Sequence, residues 1–168
     1  MIKKNRKLLG LVVPLGVALL LSGCIADAFE MPFNGYRKSK YKEAAQEGNV
    51  EAMYEYGHAY CCGAAPFHDN YIATKWLCRA ARAGHDMAQA EIAFWWRKES
   101  GMLAGLDANK AALLQDNAVA YAWYSAAAQG SSAKAQNAVD AMEQELTPYE
   151  LDRARKYLAH YPDMPCEF

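Results

Sequence analysis

The segment AQEGNVEA at residues 45–52 decides the fold, because its outline recurs twice further along the chain. The second copy is ARAGHDMA at residues 81–88, which lies 36 residues later. The third copy is AAQG at residues 127–130, followed by Ala133, Lys134 and Ala135. Self-similarity at a fixed spacing of this size is typical of arrays of short helical units.

The residues that follow each copy predict closely packed helices. Ala52, Tyr56 and Tyr60 are spaced at i, i+4 and i+8, so they share one face of a helix. Gly57 beside them lets a neighbouring backbone approach closely, and Trp76 on the next helix is flanked by small residues. Such a helix pair cannot bury its apolar face alone and must stack on the next pair. The predicted fold class is therefore all-α, an α-solenoid of antiparallel helix hairpins.

Seven helices follow from the periodicity and from the start signals. Thr147, with Glu150 three residues later, predicts a capping box at the start of the last helix. At the junctions a helix must stop and reverse, which favours a left-handed cap at Gly48, Gly84 and Gly130. Residues 99–115 are expected to form a long loop with a short helix near 109–114. The predicted helices span residues 36–47, 51–62, 69–83, 87–98, 116–129, 133–144 and 148–159.

These positions resemble the Sel-1-like repeats, which are relatives of the tetratricopeptide repeats. The first helix of that family carries A-x-x-x-L-G-x-x-Y-x-x-G, matched here by Ala52, Tyr56, Gly57, Tyr60 and Gly63. The second carries A-x-x-W-x-x-x-A-A-x-x-G, matched by Ala73, Trp76, Ala80, Ala81 and Gly84. The resemblance covers roughly residues 41–158. It departs from the family in the third copy, where Gly130 comes one residue early and Asp140 replaces a small residue.

The resemblance implies an interaction scaffold, which in bacteria often serves the cell envelope. Its ligand is expected on the concave surface of the stack and would be a protein segment, or less favourably a cell-wall glycan. Trp96 matches the packed Tyr60, which leaves Phe94 or Trp95 to be exposed or to pack against residues 99–115. The candidate binding surface consists of Tyr54, His58, Trp95 and Tyr124.

The N-terminus has the three parts of a bacterial lipoprotein signal. Residues 1–7 are basic, and residues 8–21 form an apolar run that is too short to cross about 30 Å of hydrocarbon. Leu21-Ser22-Gly23-Cys24 resembles a lipobox, which implies lipidation of Cys24 and cleavage before it. Ile25 in place of aspartate favours outer-membrane attachment facing the periplasm. The predicted units are a signal peptide at 1–23, a tether at 24–35, a repeat domain at 36–160 and a tail at 161–168.

The net charge and the absence of certain motifs exclude several classes of function. Removal of residues 1–23 leaves 14 basic and 19 acidic residues, a net charge of −5 with neutral histidine. Without a basic stripe this chain is not expected to bind nucleic acid. It also lacks a phosphate-binding loop and a serine nucleophile elbow, and carboxylates such as Glu51, Glu55 and Glu91 are expected on solvated helix faces. An enzyme and a cofactor are therefore not expected.

Four cysteines besides Cys24 remain after cleavage, and in an oxidising compartment an even number suggests disulfides. Three pairings exist among Cys61, Cys62, Cys78 and Cys166. A bridge between the adjacent pair is strained and rare, so the sequence favours Cys78 with Cys61 or Cys62, and the remaining thiol with Cys166. Free cysteines packed as small hydrophobic residues are the alternative.

A second function class also has a basis in the sequence. His58, Cys61 and Cys62 share one helix, with His68 and Cys78 beyond them. Such a cluster suits a soft metal, and the alternative prediction is a periplasmic metal- or redox-linked protein. Paired cysteines would not bind the metal.

The lipobox predicts a specific processing defect. Globomycin blocks the peptidase that cleaves lipoprotein precursors, so treated cells should accumulate the precursor, visible by immunoblot as a band about 2–3 kDa larger. A Cys24→Ala variant should show no globomycin effect and no palmitate labelling, because the thiol is the acylated atom. Unchanged processing of the natural chain under globomycin would contradict the lipobox.

Overall fold

A computed structural model describes residues 35–61, 69–97, 115–130 and 132–167. Within these ranges the chain forms seven helices and no strand, which confirms the predicted all-α class. The predicted signal peptide, Cys24, Cys62, His68 and the short helix near 109–114 lie outside the described residues. The helices are α1 (residues 35–46), α2 (Val50–His58), α3 (Asn70–Arg82), α4 (Asp86–Trp96), α5 (Asn117–Gln129), α6 (Ala133–Glu145) and α7 (Pro148–Ala159).

Three helices begin with the same device at equivalent positions of the three sequence copies. Asn49, His85 and Ser132 precede α2, α4 and α6, and each side chain accepts the backbone N–H three residues ahead. Such caps satisfy amide groups that a helix start otherwise leaves without a partner. The capping box predicted at Thr147 and Glu150 is also present at the start of α7.

The junction glycines follow the prediction at two of three positions. Gly48 and Gly84 have φ angles of 96° and 92°, in the left-handed region that glycine adopts without steric cost. Gly130 has φ −85°, so the left-handed cap predicted there is wrong. Counted from the tryptophan of its helix, Gly130 occupies the position of Ala83, which ends α3 with φ −80°. The one-residue displacement of this glycine accounts for its ordinary conformation.

Two helix pairs are closed by equivalent backbone hydrogen bonds. The N–H of Asp69 donates to the carbonyl of Tyr60 at 3.0 Å, and the N–H of Asp116 donates to the carbonyl of Trp96 at 2.9 Å. Both aspartates also cap the helix that follows them, α3 and α5 respectively. These bonds join the end of α2 to the start of α3, and the end of α4 to the start of α5.

Small residues let these helices approach closely. A Cβ atom placed on Gly57 would lie 3.0 Å from the backbone nitrogen of Leu77, so α2 touches α3 there through its backbone. The largest core cluster spans α3 to α7 and the tail, with the indole of Trp123 fully buried in it. A smaller cluster holds Tyr56 and Trp76 edge to face, with ring centroids 5.3 Å apart. Completely buried alanines line most of these contacts: Ala73, Ala80, Ala81, Ala88, Ala93, Ala118, Ala120, Ala122, Ala127 and Ala135.

The C-terminal tail, residues 160–167, folds back onto α3 and α5. Trp123 donates its indole N–H to the carbonyl of Pro165 at 2.7 Å, and Met164 is buried. Cys166 forms a disulfide with Cys78 on α3, with Cα atoms 5.7 Å apart. The predicted bridge between Cys78 and Cys61 or Cys62 is therefore wrong, and Cys61 is itself disulfide-bonded. The cause is the returning tail, which places residue 166 beside the buried face of α3.

Loss of the Cys78–Cys166 bridge should destabilise the domain strongly. The bridge joins residues 88 positions apart, so it removes much of the conformational freedom of the unfolded chain. We expect Cys166→Ser to lower the free energy of unfolding by about 2–4 kcal/mol in urea titrations followed by tryptophan fluorescence. The control is Ser39→Ala on the exposed face of α1, which should change that free energy by less than about 0.5 kcal/mol. Equal stabilities of Cys166→Ser and the natural chain would contradict a structural role for the bridge.

Candidate functional site

A half-buried polar cluster joins α2 to α4. The hydroxyl of Tyr54 donates to Glu91 Oε1 at 3.1 Å, and His58 Nε2 lies 3.4 Å from the same oxygen. Tyr54 and His58 are one helical turn apart on α2, so both side chains reach the same point on α4. The cluster therefore fixes the position of one carboxylate from two directions.

The cluster extends to α1 through an arginine. Arg37 Nε lies 3.3 Å from Glu55 Oε2, and its Nη1 lies 3.2 Å from Nδ1 of His58. His58 thus stands between a guanidinium on one ring nitrogen and the carboxylate of Glu91 on the other. Three helices, α1, α2 and α4, meet through this row of charges.

A second histidine connects the cluster to the start of α4. The ring of His85 stacks on that of Tyr54, with centroids 4.4 Å apart and planes 18° from parallel. His85 Nε2 lies 3.0 Å from Glu51 Oε2, while Nδ1 accepts the N–H of Ala88 as the helix cap. The cap of α4 therefore also orients the tyrosine that holds Glu91.

Burial controls the electrostatics of this site. Loss of solvation raises the pKa of the Glu91 carboxyl, while His58 and the hydrogen bond from Tyr54 act in the opposite direction. Burial, reinforced by the neighbouring Glu91, raises the pKa of the Tyr54 phenol, which keeps it a hydrogen-bond donor. Among the described residues, Glu91 Oε2 has no hydrogen-bond partner although it is buried. The site therefore has one carboxylate oxygen with unused acceptor capacity.

Two exposed apolar side chains flank this carboxylate on α4. Met87 and Phe94 stand at i−4 and i+3 from Glu91, so the three residues form one stripe along the helix. Met87 is 47% exposed and Phe94 is 43% exposed. Tyr54, His58, Met87, Glu91 and Phe94 together define the α2–α4 surface.

The structure brings together only part of the predicted binding surface. Tyr54 and His58 lie in one cluster, but Trp95 is 4% exposed and Tyr124 is 7% exposed, so their assignment to a surface is wrong. Tyr124 lies 47 residues after Leu77, the spacing that also separates Trp76 from Trp123, and Leu77 is buried too. Phe94, the other ring considered for exposure, takes the outer position on α4.

Two side chains of this surface do not follow from the sequence pattern. The expectation that Glu91 lies on a solvated face is wrong, because it lies against α2 under Tyr54 and His58. Met87 had no assignment at all. The helical spacing of Met87, Glu91 and Phe94 is visible in the sequence, but their exposure depends on how α2 and α4 pack.

The structure does not assemble the predicted soft-metal cluster. Cys78 is bonded to Cys166, and Cys61 is disulfide-bonded too, so neither offers a thiolate. His58 is engaged with Glu91 and Arg37 instead. Within the described ranges, no three His, Cys, Asp or Glu residues are grouped closely enough to hold a metal ion.

The desolvation of Glu91 predicts a pH dependence of stability. Because its pKa is raised on folding, the folded chain holds this proton more tightly than the unfolded chain, and ionisation costs stability. This cost appears as the pH rises above the ordinary value of 4.5 and is complete above the raised pKa. The free energy of unfolding of Glu91→Gln, minus that of the natural chain, should therefore be larger at about pH 7.5 than at about pH 4.

Urea titrations at both pH values measure this difference, with Glu47→Gln at the exposed turn that follows α1 as the matched control. The attraction of His58, His85 and Lys134 for the ionised carboxylate is already included in the net direction of the pKa shift. Parallel pH profiles of the natural chain and Glu91→Gln would show that burial does not govern this carboxyl.

Comparison of the chain with protein-family models, with curated proteins and with solved structures gives no significant match. The resemblance to Sel-1-like repeats therefore stays a prediction from the sequence. In the part of the chain that the structure describes, no helix combines the length and apolar character needed to cross a membrane.

Proposed function

We propose that this chain is an adaptor built as an α-solenoid of helix hairpins, and that it binds a protein segment on the α2–α4 surface. Support for the repeat architecture comes from equivalent features at equivalent positions. The caps of α2, α4 and α6 recur at the sequence spacing of the three copies, as do the hydrogen bonds that close α2–α3 and α4–α5. Contacts link α2 to α3, α3 to α4, α4 to α5 and α5 to α6, the order in which consecutive hairpins would stack.

The α4 stripe is the observation that carries the binding proposal. Phe94 is a large exposed ring on a helix whose other aromatic residues, Trp95 and Trp96, are buried. Exposed aromatic side chains on a rigid helix are favoured anchors in protein interfaces, because they bury a large apolar area with little loss of conformational freedom. Met87 adds a flexible apolar contact one turn away.

The chemistry between the two apolar contacts defines the ligand more closely. The Glu91 carboxylate, held in place by Tyr54 and His58, sets a negative charge between the two apolar contacts, and because its Oε2 is covered this charge acts on a ligand without a direct hydrogen bond. A ligand that fits would place apolar side chains over Phe94 and Met87 and a positively charged group between them. A protein segment provides all three in one short stretch, whereas a glycan would lack the apolar side chains.

The location of the module is part of the proposal. Lipidation of Cys24 and attachment to the outer membrane rest on the lipobox and on Ile25. The ten residues between Cys24 and α1 would reach roughly 35 Å when fully extended. The adaptor would then capture its partner within a short distance of the membrane surface.

A metal- or redox-linked function is the less favoured alternative. It requires thiolates that the Cys78–Cys166 bridge and the oxidised Cys61 do not offer. The polar cluster is also directed at Glu91 on α4, and not at the cysteines.

Site-specific photocrosslinking in cells tests the proposed surface. With p-benzoylphenylalanine at position 94, illumination should give one discrete adduct, because a bound segment would cover that ring. The matched control places the same group at position 71, where Tyr71 is 72% exposed on α3 and outside the α2–α4 surface. Addition of Glu91→Gln to the position 94 probe should reduce the adduct about threefold or more, since the negative charge that attracts the bound group is lost.

The identity and pattern of the adducts decide between outcomes. A protein adduct at position 94 that is absent at position 71 supports the proposal. Equal adduct patterns at the two positions, or none at position 94, would remove the α2–α4 surface as the binding site. An adduct that is cell-wall glycan instead of protein would overturn the assigned class of ligand.

A further inference from the structure

A second concave feature lies on another part of the molecule. A cleft of about 430 Å³ opens where the turn between α3 and α4, the end of α5 and the tail meet. Gly84 and Gly130 contribute to its lining without side chains, and Ala126 contributes only a methyl group. The exposed ring of Tyr161 from the tail also lines it. These three lining residues leave space in the cleft because they carry at most a methyl group.

A buried amide presents an unused acceptor to this cleft. Gln89 is only 4% exposed, and its Nε2 donates to the carbonyl of Ala81 and to the hydroxyl of Tyr161, both at 3.1 Å. The bond to a carbonyl fixes which end of the amide is nitrogen, since a carbonyl oxygen only accepts. In the described part of the chain no group donates a hydrogen bond to Gln89 Oε1. This oxygen is also not completely covered by neighbouring protein atoms. Because Gln89 lines the cleft, the oxygen opens onto it.

The surroundings of the cleft are negative. Asp86 lies against Gly130, since a Cβ on that glycine would be 3.7 Å from the carboxyl carbon, and Asp86 forms no ion pair within the described ranges. The C-terminal end of α5 at Gly130 adds partial negative charge. None of the residues that line the cleft is basic, and nearby Arg82 is paired with Glu167 on the tail.

The partial positive charge at the N-terminus of α4 does not cancel the negative charge around the cleft. The N–H of Met87 donates to Asp86 Oδ1, and the N–H of Ala88 donates to the ring of His85. The N–H groups of Met87 and Ala88 are therefore occupied and are not offered to a ligand. The Tyr161 ring adds the aromatic face that a cation prefers.

We infer that this cleft is a second binding site, separate from the α2–α4 surface, which takes the cationic side chain of a lysine or arginine on a protein partner. The ammonium or guanidinium donates to Gln89 Oε1, lies near the Asp86 carboxylate and rests on the Tyr161 ring. The aliphatic part of the side chain packs on Ala126. A neutral or acidic side chain lacks either the donors or the charge for this site.

Nuclear magnetic resonance titration of the ¹⁵N-labelled domain tests the inference with single-residue probes. N-acetyl-lysine methylamide and N-acetyl-arginine methylamide should shift the Gln89 side-chain amide and the backbone amides of Gly84 and Gly130. N-acetyl-norleucine methylamide has the same aliphatic chain as lysine without the charge and should leave these signals in place. Dissociation constants of about 1–10 mM are expected for a single side chain bound in an open cleft.

Two variants change the site in different ways. Asp86→Asn keeps the shape of the side chain and should weaken binding of the lysine probe by about fivefold. The matched control is Asp140→Asn at an exposed position of α6, which should leave this binding unchanged. Ala126→Leu should abolish the shifts, because its side chain fills the cleft without removing a hydrogen bond. Circular dichroism melting curves establish whether each variant is folded. If Ala126→Leu does not fold, Gly130→Ala replaces it, since the added Cβ atom would lie 3.0 Å from Asp86.

Three results would overturn the inference: no shift with either cationic probe, equal shifts with norleucine, or full binding by a folded cleft variant. Shifts that spread to Phe94 and Met87 but spare Gln89 would assign the cationic side chain to the α2–α4 surface and also overturn it. The proposed function is tested separately, because the crosslink at position 94 does not involve any residue of the cleft.

Discussion

Close contact between helices through small side chains is the constraint on which the structure depends. Ten fully buried alanines in the described part of the chain, together with the bare Cα of Gly57, allow neighbouring backbones to approach, so α2 meets α3 almost without intervening side chains. Alanine contributes little buried apolar area per residue, so a few large rings must fill what remains. Trp76 and Trp123 do this in the two core clusters. A core of this kind tolerates little change in volume, because a larger side chain at an alanine position has no empty space to enter.

Long polar side chains, and not close backbone contact, join α2 to α4 at the polar site. Because α2 and α4 lie near each other, Tyr54 and His58 reach Glu91 across the gap, and the carboxylate loses most of its solvent. The helix caps contribute in the same way, since His85 caps α4 and also stacks on Tyr54. Residues that begin the helices therefore also position the residues of the α2–α4 surface. Asn49, His85 and Ser132 each cap a helix at equivalent positions of the three sequence copies, and His85 has this additional contact with Tyr54.

The helices were predictable because periodicity and caps are local properties of the sequence. All seven predicted helices are present with boundaries within a few residues, and the capping box at Thr147 is confirmed. Properties that depend on which helix lies opposite were not predictable in this way. Trp95 and Phe94 are adjacent in sequence, and only the packing of α4 decides that the first is buried. The pairing of Cys78 with Cys166 depends on a tail that returns across 88 residues, and no local pattern indicates that return.

The Cys78–Cys166 bridge also determines how the molecule would bear mechanical tension. The bridge encloses α4 to α7 in one covalent loop, because α3 and the tail are joined directly. A pulling force between the N-terminus and the C-terminus would pass through the sulfur atoms and leave the enclosed helices unloaded. Only the segment that precedes Cys78 would extend, and this segment includes the α2 half of the α2–α4 surface. Tension along the chain would therefore separate α2 from α4 while α4 to α7 stay folded inside the loop.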